Sequence, residues 1–250
     1  MFISADDYDR FMGRYSVPLA REFSRFAYIE SEQTVLDVGC GTGALTGELV
    51  RLVGGSRVSA VDPSPQFVEH VRGRLPGVDV RVANAEELPY PADWFDAVLA
   101  QLVVHFMSDP VKGLFEMKRT ARRGGVVTAC VWNFTRDETP LTVFWHAARQ
   151  LDLAIETEVE MPGAEEGDLG DLFEDAGLTD IREKALDIEV THPDFEDWWD
   201  PFTFGVGPAG AYVASLTSEA REELREACRK VLSDGPIVLR FTAWAVRGIA

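Results

Sequence analysis

Val35-Leu36-Asp37-Val38-Gly39-Cys40-Gly41-Thr42-Gly43-Ala44 is the stretch on which the fold turns. Thr34 to Val38 reads as a short strand with apolar side chains on both faces, and three closely spaced glycines stop it. A strand apolar on both sides needs cover on both sides, which a parallel sheet between helical layers supplies. The chain downstream keeps that rhythm. A helix is expected from Ala44 to Val53, closed by Gly54-Gly55, then a strand from Arg57 to Val61 ending at Asp62-Pro63. A helix over Pro65 to Leu75 follows, with strands over Val78 to Val82 and Phe95 to Leu99. Pro110 to Thr120 reads as a helix and Val126 to Trp132 as a fifth strand. Alternating strand and helix imply a parallel sheet with both faces covered.

Outside this block the pattern changes. Tyr15, Leu19, Phe23 and Phe26 recur three or four residues apart, the spacing of an amphipathic leading helix. Past Phe134, Leu141 to Leu151 and Leu169 to Ala176 read as helices, and Ile181 to Val190 and Ile237 to Val246 as strands. Between those strands lie Trp198, Trp199, Phe202, Phe204 and Tyr212, then a charged helix from Ser218 to Leu232. The rings are either ordinary core or a flexible lid over an apolar substrate. The expectation is one α/β domain over residues 1–250. It is a Rossmann-like, doubly wound, seven-stranded, mostly parallel sheet with an antiparallel last strand. Residues 1–32 form the leading helix, 33–135 the ligand-binding core and 191–236 a helical, aromatic lid insert.

Composition limits the partners. The chain has 24 Lys and Arg against 42 Asp and Glu, a net charge of −18, with 46% apolar and 26% charged residues. That is a globular composition. Its acidity disfavours a large nucleic-acid surface or an anionic membrane. From Gln150 to Ile181 there are eleven acids and no Lys or Arg, a tract expected to be a solvated face. Cys40, Cys130 and Cys228 are odd in number and lack C-x-x-C spacing, so no disulfide framework or metal site is indicated. The first residues carry acids where a signal peptide needs an apolar run, and the longest uncharged run, Pro201 to Ser218, is broken by Gly and Pro. A cytoplasmic location without membrane contact is expected.

In an open parallel sheet, ligands bind beyond the carboxyl ends of the strands, where strand order reverses. The glycine loop sits there, and glycines allow backbone to touch a ligand because no Cβ intervenes. Asp62, at the end of the second strand, is placed to accept from a ribose diol. An adenosine-type ligand follows. Read permissively, Gly39-x-Gly41-x-x-Ala44 fits a dinucleotide fingerprint. Asp37 argues against it, since a carboxylate repels a pyrophosphate at short range but attracts the sulfonium and ammonium of S-adenosylmethionine.

These residues resemble the class I S-adenosylmethionine-dependent methyltransferases, especially a small-molecule branch similar to the ubiquinone and menaquinone biosynthesis methyltransferases. Val35 to Gly43 resembles that family's first motif without departure, and Val58 to Ser64 the second. Asn84-Ala85-Glu86-Glu87-Leu88-Pro89-Tyr90 and Phe95 to Val98 resemble the third and fourth. The resemblance implies that Asp37 and the loop Gly39, Cys40, Gly41 and Gly43 hold the methionine end of the cofactor. It assigns the ribose to Asp62, the surroundings of the adenine to Pro63 and Ser64, and the adenine edge to Asn84, Ala85 and Glu86. The family commonly has Asp where Asn84 stands. Gln101 would touch the methionine portion, and Arg14, from the leading helix, the cofactor carboxylate.

Alternatives remain for individual residues. His105 is either a base at the rim of the site or a packed ring beside Val103, Val104 and Phe106, with Tyr8 and Tyr15 as weaker base candidates. Arg14 could instead form a surface salt bridge, and Asn84 to Glu86 a plain turn. His70, His146 and His192 show no partner in sequence. The expected function is methyl transfer from S-adenosylmethionine to a small organic acceptor. A nicotinamide-dependent oxidoreductase and a non-catalytic S-adenosylmethionine-binding protein are the competing classes. Oligomeric state is not legible.

Overall fold

All four residues of β1 (Val35–Val38) are buried, as a strand sandwiched between helices requires. The computed structural model describes residues 5–134, 139–151, 163, 165–232 and 235–250. Around β1 lie β2 (Val58–Asp62), β3 (Asp79–Val82), β4 (Phe95–Gln101), β5 (Ala121–Trp132), β6 (Thr179–His192) and β7 (Ile237–Ile249). They form one seven-stranded sheet in the order β3-β2-β1-β4-β5-β7-β6. β1 runs parallel to both β2 and β4, while β7 pairs antiparallel with β5 and β6. The expected doubly wound sheet with an antiparallel last strand is therefore present. Strand order reverses between β1 and β4, which opens a crevice at their carboxyl ends.

Helices cover both faces. Val35, Val58, Ala97 and Leu99 pack under α2 (Arg14–Phe26) and α3 (Ala44–Val53), through Tyr15, Leu19, Phe23, Leu45 and Leu49. α4 (Pro65–Arg74) adds Val68 and Val71 on Ala60 and Val80. On the other face Leu36, Val38 and Val98 meet α5 (Pro110–Thr120) and α7 (Asp168–Asp175), through Leu114, Met117, Leu169 and Phe173. Capping sets where these helices begin. Ser64 accepts from Phe67 N–H at 3.5 Å and Asp109 from Lys112 N–H at 3.0 Å, each followed by a proline in the first turn.

The leading segment differs from a single helix. α1 (Ala5–Tyr8) passes through a π-helical turn, Asp9–Gly13, before α2 begins. Strands β5, β6 and β7 also run past their apolar stretches. β6 is a sheet edge, and it carries Arg182, Glu183, Lys184, Asp187 and Glu189 along its length. Charged side chains on an edge strand discourage pairing with another chain and dilute the hydrophobic signal from which the strand would be read.

Between β6 and β7 the chain forms α8 (Phe195–Trp199), a 3₁₀ turn over Asp200–Phe204, α9 (Gly207–Ser215) and α10 (Ser218–Val231). Its rings build a third core rather than a loose flap. Trp198, Trp199 and Phe202 are buried together with Phe11 and with Phe144 of α6 (Thr142–Leu151). The Phe144 and Phe202 rings stack at 4.5 Å, and Phe11 meets Phe202 edge-on at 5.0 Å. Much of the acidic tract expected to be exposed, residues 152–162 and 164, lies outside the described residues.

Candidate active site

The glycine loop takes its shape from the end of β2. Gly39 and Cys40 donate their N–H groups to Val61 O at 2.8 and 2.9 Å. Gly41 N–H donates to Asp62 Oδ2 and Ser64 N–H to Asp62 Oδ1, each at 2.8 Å. Asp62 thus clamps the loop from below while lining the crevice above it. Gly39 is at φ +73°, and a Cβ there would lie 2.5 Å from Val103 Cγ2, so both conformation and space demand glycine. At Gly41, φ +52°, a Cβ would meet nothing within 4 Å, which leaves open space over the backbone.

That space is a crevice of about 340 Å³, within the roughly 300–1,000 Å³ usual for small-molecule sites. Asp37, Gly39, Cys40, Gly41, Asp62, Pro63 and Gln101, all predicted from sequence, line it. Asp37 is 1% exposed and accepts from Thr46 Oγ1 of α3 at 2.6 Å. Burial, assisted by the neighbouring Asp62, pushes its carboxyl up to about 7. Asp62 is also raised by burial, against the two N–H groups that stabilise its charge. Two carboxyl groups desolvated side by side favour a cationic ligand. Gln101 donates from Nε2 to Ser16 O at 3.0 Å, and its buried Oε1 has no hydrogen-bond partner among the described residues. An unused acceptor beside two acids extends the same preference.

Five predicted residues sit elsewhere. Gly43, at φ +89°, starts α3 and packs towards Val71 rather than lining the crevice. Asn84, Ala85 and Glu86 follow β3, which is tied to Asp62 by Ala83 N–H to Asp62 O at 3.2 Å, but they do not line the crevice. Glu86 instead accepts from Ser108 N–H at 2.8 Å and braces the turn before α5. Arg14 is not brought to the crevice. Its Nη1 lies 2.7 Å from Asp197 Oδ2 and 2.9 Å from His192 Nδ1, which ties α2 to α8 and the end of β6. His192, without a partner in sequence, is fully buried, with its Nδ1 2.9 Å from Asp197 Oδ2 and its Nε2 3.3 Å from the Tyr15 hydroxyl. Burial lowers the His192 pKa against the pull of Asp197.

A second cavity of about 100 Å³ adjoins the crevice. The two share Tyr8, Leu102 and Phe106 as walls. His105, Trp132, Phe134 and Leu141 line the inner part, and the insert contributes the Val206–Ala209 edge. His105 is 8% exposed, and burial lowers its pKa to about 4, below the near-physiological value of a free imidazole. Its Nδ1 is buried without a partner among the described residues.

Sequence reasoning did not find Phe67, which lines the crevice and meets the Tyr8 ring at 5.3 Å, nor Leu102 and Phe106. Leu102 has φ +61°, a left-handed backbone that costs a leucine energy, and such strain gathers at functional sites. A branched residue just past a strand gave no sign of it. Asp9 was also unseen. It receives the Thr42 hydroxyl and, at 2.9 Å, Arg74 Nη1, pinning the π-helical turn to the glycine loop.

The class of protein follows from a doubly wound sheet with an acidic crevice at its switch point. Residues 36–129 match the family model described as a methyltransferase domain. The chain is 42% identical over 104 residues to an uncharacterized methyltransferase of Mycobacterium tuberculosis, a match covering 42% of this chain and 41% of that protein. It is 34% identical over 167 residues to a protein of Mycolicibacterium smegmatis described as a probable S-adenosylmethionine-dependent methyltransferase, covering 64% and 62%. These matches span about two-fifths to three-fifths of the length of the curated relatives. The fold is shared with a solved S-adenosylmethionine-dependent methyltransferase of Thermotoga maritima, at TM-score 0.58 and 18% identity over 98% of this chain and 95% of that one. Residues 36–129 thus carry a methyltransferase domain, and the chain is similar to S-adenosylmethionine-dependent methyltransferases in sequence and in fold.

Proposed function

We propose that the protein transfers a methyl group from S-adenosylmethionine to a small organic acceptor. The observation that carries this is the pair of desolvated carboxyl groups, Asp37 and Asp62, beside a glycine loop and the unpartnered Gln101 Oε1. A diphosphate would meet that pair with repulsion, and a sulfonium or ammonium with attraction. When bound, the cofactor supplies a methyl group already made electrophilic by positive sulfur.

The chain's own residues have the remaining work. Asp62 holds the loop and accepts from a diol, Asp37 and Gln101 offer oxygens to cationic groups, and Pro63 and Phe67 give apolar surface to a flat base. Tyr8, Leu102 and Phe106, shared by crevice and cavity, align an acceptor with the crevice and exclude water, and alignment of this kind is worth several kcal/mol. His105, held neutral by burial, is a polar group in reach of the acceptor, with the Tyr8 hydroxyl at the shared wall. The insert closes the cavity through its Val206–Ala209 edge.

The acceptor is read as small because the cavity is small and the chain strongly acidic, which also argues against a nucleic-acid substrate. Among the described residues no helix is long and apolar enough to cross a membrane. Three buried free cysteines fit a reducing, cytoplasmic setting.

The experiment is thermal unfolding with S-adenosylhomocysteine and, separately, NADH, followed by radiolabelled methyl transfer to candidate acceptors. Ligand at about a hundred times its dissociation constant adds roughly 2.7 kcal/mol of stability. Stabilisation by S-adenosylhomocysteine and not NADH is expected, and the reverse would overturn the assignment. Cofactor binding with no transfer to any acceptor would favour a non-catalytic binding protein.

A further inference from the structure

The cavity beside the crevice says what kind of acceptor fits, given the cofactor reading above. No charged side chain lines it among the described residues. Its walls are aromatic and aliphatic, with Phe134 edge-on to His105 at 6.0 Å and Phe106 against the same ring at 4.0 Å. Its volume of about 100 Å³ is the scale of one ring, since an apolar cavity of about 150 Å³ holds benzene. Polar groups are few. Thr139 Oγ1 is 3.2 Å from Thr142 Oγ1 and so already engaged. Tyr8 carries a hydroxyl at the wall shared with the crevice, and in the inner part the His105 imidazole presents a buried Nδ1 without a partner among the described residues.

An ionised carboxylate or phosphate in this cavity would lose its hydration with no counter-charge among the described lining residues, and it would face Asp37 and Asp62 across the shared walls. An ammonium has no lone pair with which to attack, and finds no acid among the described lining residues to hold it. A wholly apolar ring would leave His105 without a hydrogen bond. A neutral imidazole carries one N–H donor and one bare acceptor nitrogen. A hydroxyl both donates and accepts, so it pairs with His105 in either tautomer.

We propose that the acceptor is an uncharged, single-ring aromatic compound of the phenol class, seated in the cavity with its hydroxyl on the His105 imidazole. The ring lies between the aromatic walls and reaches the crevice past Leu102 and Phe106. Phe106, 63% exposed, forms the outer side of this route.

The test uses the full chain saturated with S-adenosylhomocysteine, whose own binding is measured first by calorimetry. Absence of that binding would sink the cofactor reading itself. With it present, 4-methylphenol, toluene, 4-methylbenzoate and 4-methylbenzylammonium are titrated by calorimetry between pH 6 and 8. Expected is 4-methylphenol binding at least tenfold tighter than either ion, and two- to tenfold tighter than toluene, the usual worth of one hydrogen bond. His105→Phe should erase the preference for phenol over toluene, and His105→Gln should retain part of it. Both variants should keep the parent affinity for S-adenosylhomocysteine, which shows that they fold. Tighter binding of either ion, equal binding of all four probes, no binding of any, or an unchanged phenol preference in His105→Phe would each overturn the proposal.

Discussion

Replacing Asp37 with Asn should make the ligand-free protein more stable at pH 8 while weakening its hold on the cofactor. Burial keeps the Asp37 carboxyl at about 7 rather than the ordinary 3.8, so the fold binds a proton there that the unfolded chain has already released. A group raised in this way contributes its full stability below about pH 4 and loses it as pH climbs through about 7. At roughly 1.4 kcal/mol per tenfold change in proton affinity, charging Asp37 costs the fold at most about 4 kcal/mol by pH 8. Asn has the same shape, cannot charge, and offers an oxygen to Thr46 Oγ1 as Asp37 Oδ2 does now. Its buried NH₂ takes back roughly 1–3 kcal/mol. A net gain of about 1–3 kcal/mol is left, or about 2–10 °C in melting temperature for a chain of this size. The assay is urea and thermal unfolding of parent and variant without ligand at pH 5, 6, 7 and 8. The variant should gain most at pH 8 and close to nothing at pH 5, where the unfolded chain has released its proton and the roughly 1.6 kcal/mol so lost by the parent is offset by the buried NH₂ of the variant. A variant less stable than parent at pH 8, or a difference that ignores pH, would refute the electrostatic reasoning.

Asp62→Ala removes the acceptor for two backbone N–H groups, and the stabilisation by S-adenosylhomocysteine should vanish with it; an unchanged melting shift would contradict its place in the site. Gly39→Ala forces a left-handed backbone on alanine and a methyl group onto Val103, so urea unfolding should show a loss of about 2–4 kcal/mol. Arg14→Ala and Asp197→Ala should be non-additive in a double-mutant cycle, with a coupling of about 0.5–1 kcal/mol because both side chains are partly exposed. The same variants should keep the parent response to S-adenosylhomocysteine, whereas a direct cofactor contact would make Arg14→Ala lose it.

The glycine loop, Asp37, Asp62 and Gln101 were legible because their positions follow from chain-local facts, namely where a strand ends and which residue types stand there. Helix α3 was legible to the residue and α5 closely, since Gly54 closes the first and Asp109-Pro110 opens the second. The true partners of Arg14 lie 178 and 183 positions away, and no local pattern announces a contact of that span. Phe67 and Leu102 were hidden for a related reason. A phenylalanine in a helix and a leucine after a strand look like core, and only the folded backbone turns them to the crevice. The aromatic insert left two readings open, ordinary core or a lid over a substrate. Its rings fill one another's space, and among its described residues small ones at its edge reach the cavity. His105 lines the cavity beside the crevice, and its basicity depends on burial, which sequence does not display.

Tyr8, Leu102 and Phe106 stand as a party wall between two rooms. Altering any of them to admit a different guest on one side also refits the lodging on the other, so selectivity cannot drift through these three without disturbing the methyl donor. Leu141, Val206 and Ala209 face the inner room alone. Retargeting by design would begin with those three.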